Sequence, residues 1–156
     1  MQMTRFLPDE AATLAFGAAL AGALTPGLTI YLVGDLGAGK TTLTRGVLRG
    51  LGYMGKVKSP TYTLVEVYTV SRLSLYHFDF YRFADPREWV DAGFREHFNP
   101  DTVCLVEWPE KAGEFLPTPD VRIVLSVAED GRSLQANAET EAGKKCLARV
   151  EQASSI

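Results

Sequence analysis

Cysteine is scarce in this chain, with two among 156 residues. Cys104 and Cys146 stand far apart and show no metal-ligand spacing, which argues against a disulfide-stapled scaffold and a cysteine metal centre. Cys104 lies inside an apolar run and reads as a buried free thiol. Long hydrophobic stretches are missing as well. No run approaches the roughly 18 residues that a membrane span requires, and no apolar signal core follows a basic start. The expectation is a cytosolic protein with no membrane partner. Charge of either sign is modest, at net −3. Gripping a phosphate backbone takes clustered Lys and Arg, so no unaided hold on DNA or RNA is expected. Arg45, Arg49, Lys56 and Lys58 form the one basic group, read as a solvated helix end. Repeats, linkers and low-complexity segments are absent. Residues 1–156 therefore read as one domain with length enough for a real core.

Against these absences stands one strong signal. Gly34-Asp35-Leu36-Gly37-Ala38-Gly39-Lys40-Thr41 fits G-x-x-x-x-G-K-[ST], the phosphate-binding loop. It follows the apolar run Leu28–Val33 and precedes a segment of helical spacing, the strand-then-helix context the motif requires. Glycines let successive N–H groups turn toward phosphate oxygens, and the following helix points its positive end at the same place. Lys40 would reach the β- and γ-phosphates, and the Thr41 hydroxyl can ligate Mg²⁺. A bound nucleoside triphosphate is expected.

Around the loop, the spacing predicts a first helix opened by Pro8-Asp9-Glu10, with proline at its first position, and ending near Ala23. Leu28–Val33 reads as a strand buried on both faces, as in a parallel sheet. The helix after the loop sets Leu43, Val47 and Leu51 one turn apart and stops at Gly52. Tyr62–Val70 and Leu73–Phe80 read as a hairpin turning at Ser71-Arg72. Asp85-Pro86-Arg87-Glu88 opens a short helix that Gly93 ends. Thr102–Val106 is a second buried strand. Val121–Val127 and Ser133–Ala138 form another hairpin across Glu129–Arg132, and a last helix runs from Glu141 to Ala153. The fold class expected is α/β: a phosphate-loop domain with a mixed sheet and helices on its faces.

Such a loop needs a metal-organising acid at the end of a buried strand. Val103-Cys104-Leu105-Val106-Glu107 supplies four apolar residues and then an acid, and Leu75–Asp79 supplies a second candidate. Glu107 is favoured on the metal together with Thr41, with Asp79 behind it or acting on water. His77 reads as a packed or hydrogen-bonded histidine. Trp89 reads as a core aromatic, and Trp108, next to Glu107, as a neighbour of the nucleotide. Ser59–Thr63 stands where nucleotide switches place a sensing segment, although spacing alone favours a plain polar loop.

Four blocks in order carry a family resemblance: Gly34–Leu43, Lys58–Glu66, His77–Arg82 and Leu105–Pro109. Over about Pro8 to Arg132 the chain resembles the TsaE (YjeE) family, small bacterial ATPases needed for threonylcarbamoyladenosine in tRNA. The resemblance implies ATP and Mg²⁺ as cofactors and slow hydrolysis. It implies the TsaB–TsaD pair as partners, tRNA reached through them, and no transfer of the threonylcarbamoyl group by this chain itself. It places Leu36, Gly37, Ala38, Gly39, Lys40, Thr41 and the adjoining Thr42 on the phosphates, and Thr41 with Glu107 on Mg²⁺. Asp79 would be needed for hydrolysis, with Lys40 and Glu107 completing the catalytic set. The Ser59–Thr63 loop would be switch-like, Trp108 would lie beside the site, and Arg132 and Glu10 would flank the nucleotide. Phe80 stands where many members carry leucine, and the resemblance fades after Ala138. Two other readings are weaker. A small-molecule kinase would need an arginine-bearing lid, and none appears between Asp85 and Asp120. A GTP switch would carry N-K-x-D and D-x-x-G, and neither occurs.

Overall fold

The computed structural model describes residues 1–70 and 73–154. Its strands are β1 (Gln2–Leu7), β2 (Thr29–Val33), β3 (Val65–Val70), β4 (Leu73–Asp79), β5 (Thr102–Glu107), β6 (Val121–Ala128) and β7 (Gly131–Ala138). The helices are α1 (Glu10–Ala23), α2 (Lys40–Gly50), α3 (Arg87–Asp91) and α4 (Glu141–Ser154), with short 3₁₀ turns between α3 and β6. The strands join in one seven-stranded sheet ordered β1-β7-β6-β2-β5-β4-β3. The centre, β6-β2-β5-β4, is parallel. The two hairpins add β3 and β7 as antiparallel members, so the α/β fold with a mixed sheet is as expected. No helix among the described residues is long and apolar enough to cross a membrane.

Several boundaries depart from the sequence reading, each for a local reason. Gln2–Leu7 is a strand that the pattern did not announce; it pairs only with β7 and alternates buried Met3 and Leu7 with exposed neighbours. Pro8 is not the first helical residue. Asp9 is the N-cap of α1, its carboxylate accepting the Ala12 N–H at 2.8 Å, and Pro8 lies one step before it. Tyr62–Leu64 is a turn, with Leu64 in left-handed backbone (φ 71), so β3 begins at Val65. The Ser71-Arg72 turn lies outside the described residues. The second hairpin turns on Glu129-Asp130 alone, and Arg132 already belongs to β7. The short helix begins one residue later than read, at Arg87, with Pro86 rather than Asp85 at its N-cap; Asp85 still accepts the Arg87 N–H at 2.8 Å, and Glu88 reaches back to the Asp85 N–H at 2.9 Å.

Strand alternation sorts the interior into two cores. Ile30, Leu32, Leu75, Val103, Leu105, Ile123 and Leu134 face α1, α2 and α4. Tyr31, Phe78, Cys104 and Val106 face the other way, against Phe80, Phe83, Trp89 and Phe94. Both cysteines are buried free thiols. The two helices nearest the loop, α1 and α2, approach through glycine. A methyl group on Gly46 would stand 2.5 Å from the Leu14 carbonyl oxygen, and one on Gly17 would stand 2.6 Å from that of Leu43. Only a residue without Cβ permits that contact.

Candidate nucleotide site

The site lies at the C-terminal edge of the parallel strands, where open α/β sheets bind their ligands. The phosphate-binding loop leaves β2 at Val33, while β4 and β5 end at Asp79 and Glu107. Register fixes their relation, for Leu32 pairs with Glu107 and Glu107 pairs with Asp79. Three functional segments therefore come to one line from positions as distant as 34 and 107. Gly37 (φ 82) and Gly39 (φ 109) take left-handed backbone, which lets the loop fold back over the start of α2.

Lys40 is buried, and its ammonium is held from three sides. Its Nζ donates to the Gly34 carbonyl at 2.6 Å, lies 3.8 Å from Glu107 Oε1, and sits 4.2 Å from the centre of the Trp108 ring. Glu107 is buried too, and its other oxygen is 2.6 Å from His77 Nε2. A carboxylate only accepts, so Nε2 carries the proton of that bond. The contact follows from parity: residues 73, 75, 77 and 79 of β4 and 103, 105 and 107 of β5 share the α2 side of the sheet. His77 is thus hydrogen-bonded, as read from the sequence, and its partner is the acid itself. Asp79 Oδ1 accepts the Tyr81 N–H at 2.9 Å. Burial pushes the Asp79 carboxyl above its ordinary value; the Tyr81 N–H pulls it back, and the nearby Glu107 charge adds to the rise.

A cavity of about 640 Å³ opens over these groups, lined by Glu10, Leu36, Gly37, Gly39, Lys40, Thr41, Thr42, Asp79, Glu107, Trp108 and Arg132. Ala38 is the exception among the expected residues. Its methyl is buried against Gly34 and its N–H donates to the Asp35 carbonyl, so it braces the loop from beneath. Trp108 keeps left-handed backbone (φ 54) and meets the Tyr81 ring edge-on at 4.9 Å. Arg132 donates to the Gly37 carbonyl at 3.2 Å, tying β7 to the loop. Glu10 lies 3.5 Å from Arg45 across α1 and α2. Arg49 holds the carbonyls of Tyr53 and Gly55. Of the basic group, Arg49 thus serves local structure at the end of α2, and Arg45 pairs with α1.

Sequence reasoning gave no role to several wall residues: Pro8, Asp9, Thr13, Tyr81 and Arg82. Asp9 reads from the sequence as a first-turn acid of α1, and nothing in the spacing says that the start of α1 faces the loop. Ser59 and Thr61 do reach the cavity, joined by a 2.7 Å hydroxyl contact. The ligand chemistry is hard oxygen: the Thr41 hydroxyl with the Asp79 and Glu107 carboxylates. Among the described residues no cluster of three His, Cys, Asp or Glu forms a metal cage. A hydroxyl and two carboxylates are the donor types that Mg²⁺ takes from protein, its remaining oxygens coming from phosphate and water.

Comparison with known proteins gives the chain a family and a structural neighbour. The sequence model of the family described as "Threonylcarbamoyl adenosine biosynthesis protein TsaE" matches residues 7–136. The chain is 46% identical over 150 residues to the tRNA threonylcarbamoyladenosine biosynthesis protein TsaE of Haemophilus influenzae, covering 93% of this chain and 95% of the relative. It is 44% identical over 123 residues to the protein of that name from Bacillus subtilis, covering 79% and 75%. The crystal structure of Bacillus subtilis YdiB superposes with a TM-score of 0.83 at 30% identity, over 99% of this chain and 97% of that one. With the matched region running from the last residue of β1 to β7 and so containing the whole cavity, the chain belongs to the TsaE family.

Proposed function

We propose that this chain is a slow, Mg²⁺-dependent ATPase of the cytoplasm that serves threonylcarbamoyladenosine formation on tRNA, working with a TsaB–TsaD pair. The observation that carries the nucleotide reading is the convergence of Lys40, Asp79 and Glu107 on one cavity beneath a glycine loop. The tRNA reading rests on the relatives' names.

The residues divide the work as follows. Loop amides and the start of α2 would face the triphosphate, and Lys40 would exchange the Gly34 carbonyl for phosphate oxygens. Thr41 and Glu107 would hold Mg²⁺, which when bound neutralises phosphate charge and polarises the phosphoryl group. His77 keeps the Glu107 carboxylate turned into the cavity. Asp79 would accept a hydrogen bond from the attacking water and orient it. Tyr81 fixes that carboxylate through its backbone N–H. The threonylcarbamoyl transfer itself would belong to the partners, which would also contact the tRNA.

Calorimetry with ATP and Mg²⁺ tests the first half, and absence of binding to the folded chain would refute it. Capture of TsaB–TsaD by this chain, with and without ATP, tests the second. No capture under either condition would remove the partnership.

A further inference from the structure

Arg82 lines the same cavity as Lys40 and Arg132, and what holds it is different. Lys40 is bound to a loop carbonyl, and Arg132 donates to the carbonyls of Gly131 and Gly37. Arg82 makes no ion pair among the described residues. Its guanidinium lies over the ring of Tyr62, 4.2 Å from the centroid, and that tyrosine is 80% exposed. An exposed cation–π contact contributes only about 0.5–1 kcal/mol, so the guanidinium is parked rather than fixed.

The chain fixes which end of the cavity Arg82 serves. The N–H of the preceding residue, Tyr81, bonds Asp79, its ring meets Trp108, and Trp108 lies against Lys40. Arg82 therefore belongs with the lysine and the acids, whereas Arg132 is tied to Gly37. That end holds two carboxylates against one ammonium. Mg²⁺ held there as proposed above would offset the two carboxylates, but a terminal phosphoryl group brings further negative charge that the one ammonium does not match, and a guanidinium supplies positive charge with two parallel donors.

We propose that Arg82 leaves the Tyr62 ring to bind the terminal phosphoryl group of the nucleoside triphosphate. This arginine would act in cis as a ligand for the phosphate that ATP has and ADP lacks. Because Tyr62 belongs to the Ser59–Thr63 loop, its release couples that loop to the presence of the terminal phosphate. The inference rests on the triphosphate reading of the cavity.

The test is calorimetry of ADP and of AMP-PNP, each with Mg²⁺, on the parent chain, Arg82→Ala and Arg82→Lys. Arg82→Ala should weaken AMP-PNP roughly tenfold or more, the scale of charge-assisted hydrogen bonds lost, and leave ADP within about twofold. Arg82→Lys should fall between, since an ammonium cannot make the paired contact. Equal weakening of both nucleotides, or of neither, overturns the assignment. A parent chain that binds neither nucleotide instead refutes the ATPase reading, so the two failures are told apart.

Discussion

Replacing Gly46 by alanine should lower stability even though alanine is the better helix former. The new methyl would stand 2.5 Å from the Leu14 carbonyl oxygen and 3.0 Å from its Cα, where ordinary contact begins at 3.4 Å. The colliding atoms are backbone, so no side chain can swing aside, and α1 and α2 must part by about 1 Å. Overpacking of that kind costs about 1–3 kcal/mol, and rigid neighbours put this site at the upper end. Helix propensity returns about 1 kcal/mol, leaving a loss of about 2 kcal/mol. At about 2–4 °C per kcal/mol for a chain of this size, the melting temperature should fall by about 4–8 °C. Gly22→Ala is the matched control, because Gly22 is also helical but meets nothing within 4 Å. It should raise the melting temperature by about 2–4 °C. Scanning calorimetry on both variants decides the matter. A rise for both would show that the helices have room, and the close-approach argument would be wrong.

Four further outcomes are expected. Lys40→Ala should reduce ATP affinity by about a hundredfold or more, since among the described residues no other lysine lines the cavity; calorimetry reads it, and parent-like affinity would refute the assignment. Glu107→Ala and Asp79→Ala should keep measurable nucleotide binding and lose turnover by about a hundredfold, followed by phosphate release. Asp79→Asn should also melt above the parent at pH 7. Burial raises this carboxyl, so keeping it ionised above its unfolded value opposes folding, and the uncharged amide removes that cost. Burial also pushes the thiols of Cys104 and Cys146 up to about 12 and about 11. An acid raised on folding stabilises the fold below its unfolded value near 9 and loses that contribution as pH climbs toward 11–12. Urea midpoints should therefore drop from pH 9 to 11, and a thiol reagent at pH 8 should label both cysteines only after unfolding.

Much of the candidate site is legible in the sequence because it consists of short-range patterns. The loop from Gly34 to Thr41 declares itself by composition, and four apolar residues before Glu107 declare a buried strand with an acid at its tip. What stayed hidden depends on register and on distant chain segments. His77 meets Glu107 only because β4 and β5 lie side by side with matched parity, and adjacency of two strands 30 residues apart is not written in either. The start of α1 walls the cavity through the Gly17 and Gly46 approach, a tertiary fact invisible to periodicity. Strand β1 escaped because a short edge strand exposes alternate residues and so looks like a polar leader. Ala38 shows the converse limit. The motif names it through its backbone, while the burial of its methyl against Gly34 beneath the loop is a tertiary fact that the motif does not state.

Strand β1 has a single neighbour, and the residues that follow it directly, Pro8 to Glu10, form part of the cavity rim. A nucleotide seated there would act as a latch on the first ten residues of the chain. Their amides should exchange with deuterated solvent quickly in the empty protein and slow as ligand is added, tracking saturation. Occupancy of the cavity would then be legible at the far margin of the sheet.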